Sequence, residues 1–164
     1  MPVVIATRNR SLFCVVLFSL AFTIVSAQSR PNALSPDVVS TLSSAETFEL
    51  LSLSGEQDAK GWHGYRLLGK TAVGAADVRA RLLTALESGI AKSTGPGARC
   101  FVPRHAIHAV SGDKTVDLLI CFECSWVRVF TGGAETTAAV VTTTTTPQPV
   151  FDQVLEAAKV PRAQ

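Results

Sequence analysis

Few of the residues that specialised protein classes are built on occur in this chain. Four cysteines in 164 residues are too few for a disulfide-stapled mini-scaffold. Charged residues make up only 17%, with 15 Lys+Arg against 13 Asp+Glu, so no polybasic nucleic-acid binder is present. There is no Gly-x-Ser-x-Gly elbow to present a nucleophile. Gly95-Pro96-Gly97 lacks the Lys, the third Gly and the preceding strand of a phosphate loop. No internal repeat, heptad or Gly-x-y period is visible, which excludes solenoid, coiled coil and collagen. What is present is apolar: 47% hydrophobic residues, eight Phe and a mean hydropathy of +0.30, too much for a disordered chain.

The longest apolar run lies at the N-terminus. Arg8 and Arg10 precede Leu12–Val25, interrupted only by Ser19 and Thr23, and Val25-Ser26-Ala27 supplies the small residues of a cleavage site. Residues 1–27 are therefore expected to be a secretory signal peptide. The competing reading, a membrane anchor, needs about 20 apolar residues, more than Leu12–Val25 provides. Two of the 15 cationic residues and none of the 13 acidic ones fall in this segment, so residues 28–164 are formally neutral. That expects no nucleic-acid partner and no stable membrane anchor after cleavage, and it places the protein outside the cytoplasm, secreted or periplasmic.

After a flexible lead at 28–34, residues 35–164 are expected to form a single domain. Ser35-Pro36-Asp37 opens a helix to about Ser43, through a capping hydroxyl, a proline at the first helical position and an acidic first turn. Thr47–Leu53 and Trp62–Leu68 read as strands joined by a polar loop at Gly55–Gly61. From Ala75 to Ile90 the apolar residues Val78, Leu82, Leu86 and Ile90 recur every four, a helix stopped by Lys92–Gly97. Arg99–Val110 and Thr115–Phe122 read as a hairpin around Gly112-Asp113. Trp126–Phe130 and Thr136–Thr145 add strands, and Pro147 and Pro149 introduce a last helix with Phe151, Val154, Leu155 and Ala158 on its apolar face. The order αββαβββα, or close to it, defines an α+β fold. Its antiparallel sheet has about five to six strands from sequential hairpins, with two or three helices on one face.

Three cysteines follow the signal: Cys100, Cys121 and Cys124. In an oxidising compartment one pair and one spare thiol are expected. The Gly112-Asp113 loop sets Cys124 opposite Phe101, and Cys121 opposite Arg104. A regular ladder then keeps Cys100 and Cys121 about 13 Å apart along the strand, beyond the about 7 Å that a disulfide spans between Cα atoms. Pro103 permits a bulge that would turn Cys100 toward Cys124, so 100–124 is favoured, then 100–121, with 121–124 open. Two other readings use the same residues. Cys100, His105, Cys121 and Cys124 form a legitimate metal ligand set, and Cys121-Phe122-Glu123-Cys124 has the spacing of a redox pair without its helix N-terminus.

In the same register His108 lies opposite Asp117, as a cross-strand pair or the base half of a catalytic triad without its nucleophile. His105 lies in an apolar row with Ile107 and Ala109 and reads as a core or boundary histidine. Arg104 lies diagonal to Glu123, a structural ion pair. His63 and Tyr65, with His108 and Asp117, are the candidate binding surface. No catalytic residue and no cofactor is expected; the partner, a protein or a small molecule, is not specified by these residues. The leading expectation is a soluble, non-catalytic binding domain. The alternative is a metal- or thiol-dependent protein using Cys100, Cys121, Cys124 and His105.

Cys100-Phe101-Val102-Pro103-Arg104-His105-Ala106-Ile107 and Val116-Asp117-Leu118-Leu119-Ile120-Cys121-Phe122-Glu123-Cys124, with Trp62-His63-Gly64-Tyr65 and Pro149-Val150-Phe151, resemble small uncharacterised secreted bacterial proteins. The resemblance implies an extracytoplasmic bacterial protein and brings no known activity.

Overall fold

The computed structural model describes residues 32–133, 137 and 139–163. The signal-peptide reading of 1–27 and the first residues of the lead lie outside these. Ser35 begins the first helix as its sequence dictates: its Oγ accepts from the Val38 amide at 3.4 Å, and α1 runs Pro36–Ser44. Such a cap is worth about 1 kcal/mol. The lead is not free at its end, because the Asn32 side chain donates to the carbonyls of Ile90 and Thr142 and accepts from the Thr142 amide.

The strands are β1 Thr47–Trp62, β2 Tyr65–Ala72, β3 His105–Ser111, β4 Lys114–Cys121, β5 Trp126–Thr131 and β6 Ala139–Thr142, with α2 at Ala76–Ala91 and α3 at Gln148–Ala157. They form one six-stranded sheet in the order β2-β1-β3-β4-β5-β6. Every neighbouring pair is antiparallel. The fold is the α+β arrangement the pattern predicts. The β3–β4 register is that of a Gly112-Asp113 loop, with Ser111 opposite Lys114 and His108 opposite Asp117.

Alternation along the strands sorts side chains onto two faces. Phe48, Leu50, Ile107, Ala109, Val116, Leu118, Ile120, Val127 and Val129 meet Val38 and Leu42 of α1, Leu82, Leu86 and Ile90 of α2, and Phe151 and Leu155 of α3 in one core. Each fully buried side chain of this size stabilises by about 1.5–3 kcal/mol. On the other face Leu51, Leu53, Ala106, Leu119 and Phe130 form a second cluster with Tyr65, packed by Trp62 and Phe101.

The β1–β2 hairpin departs from the expected loop at Gly55–Gly61. That polar stretch is strand, and the turn is the two-residue His63-Gly64, with φ of 48° and 80°. Register shifts between Ser52 and Leu53, Leu53 and Gln57, and Gln57 and Trp62 bend the arm across the second face, as bulges do. Gly55 sits within this bend at φ 80°, and a Cβ there would lie 2.5 Å from Val102 Cγ1, so the close crossing requires glycine. The polar residues of the arm hid it from a pattern reading because both its faces are largely exposed.

Candidate functional site

Bending the hairpin delivers its tip to β4 and β5. Asp117, 5% exposed, accepts from His108 Nδ1 at 2.6 Å and from His63 Nε2 at 2.8 Å. The His63 ring lies 4.2 Å from that of Phe130 and 4.5 Å from that of Trp62. One buried carboxylate thus holds two imidazoles, the first from its cross-strand neighbour and the second from a loop 54 residues away. An ionised carboxylate only accepts, so each ring turns an N–H toward it. Among the hydrogen bonds of the described residues no Ser, Thr or Cys joins either imidazole. Tyr65 stands apart from the histidines: it is buried against Phe101, and its hydroxyl donates to the Phe101 carbonyl at 3.4 Å.

Three residues before His108, and hence on the opposite face, His105 enters the main core. Its rim position against α3 gives it a carboxylate too: Nε2 meets Asp152 Oδ1 at 2.9 Å. The same oxygen lies 3.2 Å from Arg162 Nη1. A cleft of about 470 Å³ opens here, lined by Arg104, His105, Gln148, Asp152, Arg162 and Ala163. Arg104 contacts Glu123 at 3.4 Å, the ion pair its register predicts. Its Nε is buried and has no hydrogen-bond partner among the described residues. No local sequence pattern ties Asp152 or Arg162 to His105; docking of α3 brings them together.

Burial pushes the His105 imidazole below its ordinary value of 6.5. The hydrogen bond and charge of Asp152 oppose that shift, and Arg162 and Arg104 reinforce it. The unfolded chain therefore takes up this proton first as pH falls. Stability is expected to be complete above about pH 6.5 and to decline below it until the folded imidazole also protonates, at no more than about 1.4 kcal/mol per pH unit for one proton. Urea unfolding of wild type and His105→Gln across pH 7.5 to 4.5 checks this. The variant should lack this component of the slope, and identical slopes would remove His105 as its source.

The cysteines correct the favoured 100–124 pairing. Cys121 and Cys124 are the bonded pair, with Cα atoms 5.1 Å apart, and Cys100 is free and exposed. The ladder explains this. The β3–β4 pairing begins at His105, so the segment carrying Cys100 and Pro103 is not strand and no bulge operates there. Cys121 instead pairs with Trp126, and the turn between them, with Ser125 at φ 59°, folds Cys124 back onto Cys121. Cys100 Sγ nevertheless lies 3.8 Å from Cys124 Sγ. His105 is engaged with Asp152 and faces the ring of Phe122 rather than these sulfurs, so the four residues do not converge as ligands. Among the described residues no group of three or more His, Cys, Asp or Glu side chains is placed to hold a metal ion. Among them also, no helix is long and apolar enough to cross a membrane.

No protein-family model, curated protein or solved structure matches this chain.

Proposed function

We propose that this chain is a non-catalytic, extracytoplasmic binding domain, related to small secreted bacterial proteins and released by cleavage after Ala27. Its ligand on this reading is a small molecule bearing a carboxylate, taken in the cleft between the start of β3 and α3. The observation that carries the proposal is the pair of guanidinium groups, Arg104 and Arg162, that line that cleft together with Gln148. Arg162 already meets Asp152 through Nη1 at 3.2 Å and Glu156 through Nη2 at 4.0 Å, so a ligand carboxylate would share its guanidinium with them, and Gln148 offers a neutral donor. Asp152 is engaged by His105 and Arg162, so its charge is already countered. The Cys121–Cys124 bond agrees with an oxidising compartment.

Titration of the full chain with succinate, acetate and ethylammonium, followed by amide chemical shifts, tests the reading. Succinate and acetate should give saturable shifts at Gln148, Asp152 and Arg162, ethylammonium none. Arg162→Gln should weaken succinate binding about tenfold, the loss of one charge-assisted contact. Shifts elsewhere, or binding unchanged in the variant, would overturn the site. Turnover of a chromogenic ester panel that disappears on His108→Ala would overturn the non-catalytic assignment.

A further inference from the structure

The three sulfurs outside this cleft are arranged for chemistry. Cys121 and Cys124 are each 2% exposed, so a thiol in solution has no direct path to their bond. Cys100 is exposed and touches the bond from outside, 3.8 Å from Cys124 Sγ. Two backbone amides point at the sulfurs that would have to carry charge: the Cys124 N–H donates to Cys121 Sγ at 3.1 Å, and the Val102 N–H to Cys124 Sγ at 3.3 Å. Around Cys100 a surface depression of about 370 Å³ is lined by Arg99, Arg128, Phe101, Trp126 and Val140. Among the described residues the lining holds two guanidinium groups and no carboxylate, and Arg128 is fixed over the Phe101 ring at 3.9 Å.

We propose that Cys100, Cys121 and Cys124 form a thiol–disulfide exchange site whose surface terminus, Cys100, accepts a small thiol bearing carboxylates. The Cys100 thiolate attacks Cys124 Sγ, the Cys121–Cys124 bond breaks, and Cys121 leaves as a thiolate held by the Cys124 amide. The new Cys100–Cys124 bond has its outer sulfur at the surface. The incoming thiol, as its thiolate, attacks Cys100 Sγ and expels Cys124, whose charge the Val102 amide meets. One disulfide is exchanged for one mixed disulfide on Cys100. The protons of Cys100 and of the incoming thiol pass through water to Cys121 and Cys124, so no outside oxidant is consumed. Arg99 and Arg128 select for anionic thiols by charge. This site is separate from the carboxylate cleft and stands or falls independently of it.

The probe is a large excess of reduced glutathione on the full, air-purified chain, sampled early, because the freed Cys124 thiolate would otherwise expel glutathione from Cys100. The reaction is quenched in acid, and peptide mapping after alkylation keeps Cys14 distinct. The expected product carries glutathione on Cys100 with newly alkylatable thiols at Cys121 and Cys124. In Cys100→Ser the buried disulfide should open at least about tenfold more slowly, because its exchange relay is gone. Arg99→Glu/Arg128→Glu should slow glutathione while leaving cysteamine, a cationic thiol, as fast or faster. A Cys121→Ser chain given oxidised glutathione should close Cys100–Cys124 rather than hold two mixed disulfides. Reduction of Cys100→Ser at the wild-type rate, or glutathione on Cys100 only when supplied oxidised with Cys121–Cys124 intact, would overturn the proposal.

Discussion

Phe151→Ala is expected to destabilise the protein by about 3–5 kcal/mol, the range for deleting a buried aromatic ring. Phe151 is 0% exposed and packs edge-on against Phe122 and His105, with ring centres 5.2 Å and 5.9 Å away. The helix it anchors has only 10 residues, too short to be stable alone, and Phe151 and Leu155 are its fully buried contacts with the core. Asp152 is the next residue, so loosening α3 also moves the carboxylate that holds His105 and Arg162. Stability and succinate binding should therefore fall together in Phe151→Ala. Phe151→Leu, which keeps an apolar side chain of moderate volume, should lose less than the alanine variant on both counts. Urea unfolding and the same titration check this. A loss below about 1 kcal/mol, outside the range for such a cavity, would mean that α3 is held by something other than its apolar face.

Much of this architecture is legible in the residues themselves. The apolar spacing Val78, Leu82, Leu86, Ile90 gives α2 within one residue of its observed ends. Gly112-Asp113 fixes the β3–β4 register, and that register alone places His108 against Asp117 and Arg104 near Glu123. These succeed because each depends on contacts between chain neighbours or on a two-residue turn. The polar arm Gly55–Gly61 fails for the opposite reason: a strand exposed on both faces has no alternation to read. His63 reaches Asp117 only because the bulged arm crosses the sheet, and Asp152 meets His105 only because α3 docks there. Neither partner is encoded locally. The disulfide belongs to the same class of difficulty, since its pairing follows from where the β3–β4 ladder stops, and ladder ends are set by packing rather than by propensity.

Two of the three histidines lie on β3, at positions 105 and 108, and an odd spacing sends them to opposite faces of the sheet. The consequence is two separate imidazole–carboxylate pairs rather than one cluster. The pair on the helix side faces an open cleft with two guanidinium groups. The other lies under the hairpin arm and joins the tip to the sheet, a structural task that accounts for a buried carboxylate in an otherwise apolar layer.

That task makes Asp117 the second position of large effect. Asp117→Ala should cost about 2–4 kcal/mol, because it removes two hydrogen bonds and leaves buried polar nitrogens without an acceptor. The cost is not symmetrical between the rings. His108, with 28% of its side chain exposed, can turn to water, whereas His63, at 12%, is held between Trp62 and Phe130. The larger share should therefore appear at the hairpin tip, as faster amide hydrogen exchange across residues 56–65 than in the β3–β4 core. A double-mutant cycle separates the bond from the stacking. His63→Asn is the suitable partner, since asparagine tolerates the positive φ of that position but is too short to reach the carboxylate. Coupling of about 1 kcal/mol or more with Asp117→Ala would assign the tip to the shared carboxylate. If the two substitutions are additive, the aromatic contacts of Trp62 and Phe130 hold the arm and Asp117 serves His108 alone.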